Sequence, residues 1–288
     1  MTDELIACEL TLAGQTRTFS MRPPRDPDAP LVLVLHGNQP GVSGRIMHEW
    51  TSFAAHADEW GIAVGYPDGV GGCWADGRGV TTADKAGVDD VAFLRAVIDR
   101  SAEQFGTHPD RTIIAGISNG AFMSHRLARE AGERIPVFAA VAGGLPAALS
   151  TGEPTHAVSA MLINGTADTI FPIEGGHSRH LGPNGELRGY ASGLTESAQY
   201  WRTVDRCSGD DSTITTELSS RRTVTGGVGG TQVAAWTVFG GGHTWPSTSV
   251  PPEWANSPDA DTTREFDAAV EIYRFARPLL IPADARKL

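Results

Sequence analysis

Two kinds of hydrophobic spacing alternate along the chain, and the alternation predicts the fold class. Leu31-Val32-Leu33-Val34-Leu35 is an uninterrupted apolar run, as expected of a parallel strand buried on both faces. Ile46, Trp50, Phe53, Ala54 and Ala57 follow at helical intervals, predicting one helix over Ile46–Trp60 that stops at Gly61. Ile62–Tyr66 is then the next strand, broken by Pro67-Asp68-Gly69. The exchange recurs with a helix over Val88–Phe105, whose first turn holds Asp89-Asp90 where the helix dipole favours anions. Arg111–Ile117 is a strand, Gly120–Ala131 a helix, and Val137–Ala142 and Met161–Ile163 are further buried strands. Gly193–Val204 reads as a helix and Gln232–Phe239 as a late strand. Ahead of all these, Ile6–Leu12 and Thr16–Met21 read as two edge strands joined by a turn at Gly14. The last helix is predicted to open on Thr262-x-x-Glu265, a capping-box pattern, and to run to Pro278. Such alternation means an α/β protein, a mostly parallel central sheet with helices on both faces. Sheets of this kind hold ligands beyond the carboxyl ends of their strands.

The residues just after each strand are therefore the ones to read for chemistry. Gly116-Ile117-Ser118-Asn119-Gly120 joins a strand to a helix through a turn tight enough to strain its central residue. Glycines two residues to either side remove the Cβ atoms that would clash, and the Ser118 hydroxyl projects from the turn as a candidate nucleophile. A serine hydroxyl needs a base, and the base needs an orienting carboxylate. Asp168 lies in the loop after Met161-Leu162-Ile163, and His243 follows the strand ending at Phe239 and three glycines. Ser118, Asp168 and His243 thus form the expected triad. The candidate donors for a developing oxyanion are the backbone N–H groups of Asn119 and Asn38, the latter in the loop after Leu35. His36 is expected to support that loop. His177 and His180, in a Gly-rich loop, are weaker candidates; with Asp168 their spacing fits no zinc pattern, and no metal is expected. Trp74, Trp245 and Phe171 stand beside these loops as candidate substrate walls.

Composition narrows the partners more than the chemistry. The chain has 288 residues, 40% of them hydrophobic, enough for one large core. The organisation expected is one domain over 1–288, with possible rim segments at 171–190 and 246–261. A net charge of −11 is a poor fit to nucleic acid or an anionic membrane surface. Cys8, Cys73 and Cys207 are too few and too far apart to imply a metal cluster or a disulfide framework, although a Cys73–Cys207 bridge stays open. Met1-Thr2-Asp3-Glu4-Leu5 shows no basic stretch leading into an apolar one, so a cytoplasmic address is expected unless the natural chain starts earlier.

With these motifs assembled, the chain resembles the esterase family that includes polyhydroxybutyrate depolymerases and feruloyl or acetyl-xylan esterases, within the α/β-hydrolase superfamily. The resemblance runs from about Leu31 to Phe275. It rests on His36-Gly37-x-x-Pro40-Gly41, Tyr66-Pro67-Asp68-Gly69, Cys73-Trp74-x-Asp76 and Asp89-Asp90-Val91-x-Phe93-Leu94. It rests further on Gly116-x-Ser118-x-Gly120, Gly165-x-x-Asp168 and, most specific, Gly241-Gly242-His243-x-Trp245-Pro246. It implies Ser118 as nucleophile, Asp168 as acid and His243 as base, acting without cofactor. Asn38 stands where secreted members often carry Cys, which points toward soluble short-chain, hydroxyalkanoate-oligomer or hydroxycinnamoyl esters rather than a polymer. The competing expectations are an amidase or peptidase using the same triad, told apart by anilide substrates, and a non-catalytic hydrolase-like binding scaffold.

Overall fold

A computed structural model describes residues 5–179, 181, 185, 187–248 and 263–288. Its ten-stranded sheet runs in the order β1-β2-β4-β3-β5-β6-β7-β12-β11-β10. The strands are β1 Ile6–Leu12, β2 Gln15–Arg22, β3 Ala29–Leu35, β4 Ala63–Pro67, β5 Thr107–Ile117 and β6 Val137–Val141. They continue with β7 Ser159–Gly165, β10 Asp211–Thr215, β11 Ser219–Val224 and β12 Val233–Val238. The stretch from β4 to β12 in that order is parallel throughout, and the pairs at both flanks are antiparallel. A hairpin of β8 Gly175–Ser178 and β9 Arg188–Ser192 stands apart from the main sheet.

Side-chain alternation along the central strands divides the core in two. Leu31, Leu33 and Leu35 of β3 pack with α4 Asp90–Phe105, α5 Asn119–Glu130 and α6 Leu194–Val204. Val32 and Val34 face the other side and pack with α1 Arg45–Trp50, α2 Phe53–Trp60 and α7 Ala268–Ala276. A short α3, Thr82–Lys85, carries its own capping box from Thr81 and Asp84. Gly61 and Gly106 end α2 and α4 in the left-handed conformation, which leaves the last carbonyls satisfied.

Several elements depart from the pattern-based expectation. The helix over Ile46–Trp60 is two helices, because Thr51 turns extended and its hydroxyl donates to the Met47 carbonyl at 2.6 Å. The apolar spacing carries across that break without registering it. The last helix opens later, with Asp267 accepting from the N–H groups of Ala269 and Val270; Thr262 lies outside the described residues. Thr16–Met21 is no edge, since β2 pairs with both β1 and β4. β10 and β11 carried no clear signal, for every residue of β10 is exposed.

Candidate active site

The turn between β5 and α5 is built by exclusion of side chains. A Cβ on Gly116 would lie 2.3 Å from the Gly120 carbonyl oxygen, and one on Gly120 would lie 2.3 Å from that of Leu35. With both glycines in place, Ser118 takes φ 56° and ψ −118°, a strained conformation for a residue with a side chain. That strain is held by hydrogen bonds on either side: its N–H donates to the Val141 carbonyl, and its own carbonyl accepts from Ala121 and Phe122. The hydroxyl therefore stands at the N-terminus of α5, where the helix dipole is positive.

Two other strand ends arrive at the same place. Asp168 follows β7 and is buried; its Oδ1 accepts from the N–H groups of Ile170 and Phe171, each at 2.8 Å. Its Oδ2 faces His243 Nδ1 at 2.8 Å. With the carboxylate as acceptor, Nδ1 carries the proton and Nε2 is left to accept. The loops bearing the two residues cross closely enough that a Cβ on Gly165 would lie 2.0 Å from the Gly241 carbonyl oxygen. Ser118 and His243 line one cavity of about 280 Å³, together with Asn38 and Asn119.

The family-type motifs outside these loops brace them. His36 is fully buried, donates from Nδ1 to its neighbour's carbonyl at Gly37 and accepts from Gly69 N–H on Nε2. Burial holds its pKa below the usual histidine value, so it stays neutral and keeps that pattern. Asp68 caps Gly44 N–H and accepts from the Thr18 hydroxyl. Asp90 accepts from Arg17 and from Ala75 N–H, each at 2.7 Å, tying β2 to the Cys73-Trp74-Ala75-Asp76 loop. Asn119 turns its side chain away from the cavity: Oδ1 accepts from Trp74 N–H, and Nδ2 donates to the Trp74 carbonyl and to Asp76.

The expected substrate walls are corrected in part. Phe171 does line the cavity, edge-on to Phe122. Trp74 does not: it is fully buried, and its indole donates to the His36 carbonyl at 3.0 Å. It joins the Ser118 turn to the Gly37-Asn38 loop and leaves no face for a ligand. Trp245 is also buried, packed in the second core layer against Phe53, and it is its neighbour Thr244 that reaches the cavity. Sequence reasoning missed Ile46, Trp50, Arg78, Phe122, Ser178 and Arg188, all of which line it. Of the suggested rim, 171–190 contributes Phe171, Ser178 and Arg188, whereas 249–261 lies outside the described residues. His177 packs on Tyr190 away from the cavity, and His180 is outside the described residues. Among the described residues no three His, Cys, Asp or Glu side chains are grouped to hold a metal. The three cysteines are free, so Cys73 and Cys207 are not bridged. No described helix is long and apolar enough to cross a membrane.

Comparison with known proteins agrees with this architecture. A Nocardia uniformis subsp. tsuyamanensis protein named as an esterase, NocK, is 30% identical over 260 residues, covering 85% of this chain and 75% of that protein. Feruloyl esterase C of Emericella nidulans is 27% identical over 157 residues, 52% of this chain and 54% of its own length. Among solved structures, the acetyl xylan esterase from Aspergillus awamori superposes with a TM-score of 0.60 at 14% identity, covering 84% of this chain and 95% of that one. No protein-family model matches the chain. The chain belongs to the esterase family of NocK and has the α/β-hydrolase fold. It is an esterase, a carboxylic ester hydrolase.

Proposed function

We propose that Ser118, His243 and Asp168 are the catalytic triad and that hydrolysis proceeds through an acyl-Ser118 intermediate. The observation that carries this reading is the short Asp168–His243 hydrogen bond beside a cavity into which the strained Ser118 turn also opens. His243 Nε2 takes the proton from Ser118 Oγ as it attacks the ester carbonyl, and Asp168 stabilises the imidazolium that forms. The tetrahedral oxyanion is held by the N–H groups of Asn38 and Asn119, aided by the N-terminus of α5. His243 then returns the proton to the leaving alcohol, and the same groups activate water to release the acid.

The wall of the cavity is apolar at Ile46, Trp50, Phe122, Ile170 and Phe171. Its volume of about 280 Å³ suits a small acyl group or one aromatic ring better than a polymer chain. Short-chain esters, hydroxyalkanoate oligomers and hydroxycinnamoyl esters are the substrate classes this supports.

Ser118→Ala is expected to lower turnover of p-nitrophenyl acetate and butyrate by about 10⁴-fold or more while leaving the thermal unfolding curve in place. A fluorophosphonate should label the native chain at Ser118 and leave the variant unlabelled. Retained activity in the variant, or a native chain inert to the label, sinks the assignment.

A further inference from the structure

The polar side of the cavity has a sign. Apart from His243, its described charged side chains are Arg78 and Arg188, and no described Asp or Glu lines it. This is unexpected in a chain with 34 acidic and 23 basic residues. The two guanidinium groups come from segments far apart in sequence that meet at one point: a Cβ on Gly189, next to Arg188 on β9, would lie 2.6 Å from Arg78 Cβ. They are held differently. Arg78 is gripped through Nε and one Nη by buried Asp76 and lies 3.7 Å over the Phe122 ring. Its charge is thereby largely balanced. The Arg188 side chain has no ion pair or hydrogen bond among the described residues, and it is only partly exposed. A partly desolvated guanidinium without a counter-ion raises the positive potential of the cavity, to which the N-terminus of α5 also adds.

We propose that Arg188, set against Arg78, is a specificity-determining residue that binds a free carboxylate on the substrate, so that the preferred esters are anionic. This rests on the Ser118 reading above and extends it to the substrate class. A planar guanidinium pairs with a carboxylate through two parallel hydrogen bonds, and in a confined cavity such a contact favours the charged ester over its neutral counterpart.

Matched substrates test it. Mono-(p-nitrophenyl) adipate against p-nitrophenyl methyl adipate places the carboxylate on the acyl side, and 4-acetoxybenzoate against its methyl ester places it on the alcohol side. In one of the two pairs the native chain should favour the acid by roughly tenfold in kcat/KM, mainly through KM. That ratio should shrink as salt is raised to about 0.5 M. It should fall toward unity in Arg188→Gln and be partly kept in Arg188→Lys. The pair that shows the preference identifies the side of the scissile bond. A ratio of one in both pairs for the native chain overturns the inference, as does a ratio that Arg188→Gln leaves unchanged. Ser118-dependent turnover of the neutral esters in those cases leaves the catalytic reading standing, whereas a native chain that resists fluorophosphonate would overturn that reading instead.

Discussion

Trp74 ties together two loops of the proposed site without lining its cavity. Its backbone is clasped by Asn119, the residue after the proposed nucleophile, and its indole holds the His36 carbonyl beside the proposed oxyanion loop. Trp74→Phe keeps most of the packing and removes one hydrogen bond, leaving a buried carbonyl unsatisfied. The expected result is a loss of about 1–2 kcal/mol in urea unfolding and a several-fold lower kcat on p-nitrophenyl butyrate with little change in KM. A raised KM at unchanged kcat would instead make Trp74 a wall of the binding site. The misreading of Trp74 and Trp245 from sequence has the same root. Both flank strand-end loops, but whether an indole faces a cavity or the core depends on partners such as His36 and Phe53 that lie far away in sequence.

Elements were legible where local sterics determine them. The Ser118 turn needs Gly116 and Gly120 within five residues, and Asp168 and His243 each directly follow a strand whose apolar run is evident. Long-range juxtaposition was not legible: Arg78 and Arg188 line one cavity because β9, at Gly189, comes against Arg78, and no spacing encodes that. Helix boundaries failed where polar side chains decide them. The hydroxyl of Thr51 breaks one helix into two, and Asp267, not an upstream threonine, opens α7. Asp267 Oδ1 accepts from two helix N–H groups and from the Ser52 hydroxyl, so it also fastens α7 to the start of α2. Asp267→Ala should cost about 1–2 kcal/mol of stability, read by chemical denaturation, with turnover per folded molecule unchanged. Asp267→Asn should recover most of the loss.

For the molecule as a whole, titratable groups shifted by burial make stability depend on pH. His125 sits within the first core layer, accepts from the Trp201 indole on Nδ1, and has its pKa pushed down to about 3 by burial. Between that value and the usual 6.5 the unfolded chain binds a proton that the native chain refuses. Stability therefore falls as pH drops through this window, by about 2 kcal/mol from pH 7 to 5. Asp205, whose pKa burial raises, works the other way: its contribution is fully present at low pH and is lost as pH rises through its folded value. Urea unfolding of the native chain and His125→Gln across pH 4–7 should give a shallower acid decline in the variant, and parallel curves would refute the assignment.

The Asp76 carboxylate takes one hydrogen bond from Asn119 at the Ser118 turn and grips Arg78 in the cavity. Any substitution that retunes Arg78 therefore disturbs the turn that presents Ser118. Arg188 carries no such tie. Divergence among close relatives of this chain should accordingly leave Asp76 and Arg78 as a conserved pair and change substrate preference at Arg188, which among the described cationic lining residues can vary without altering the proposed catalytic turn.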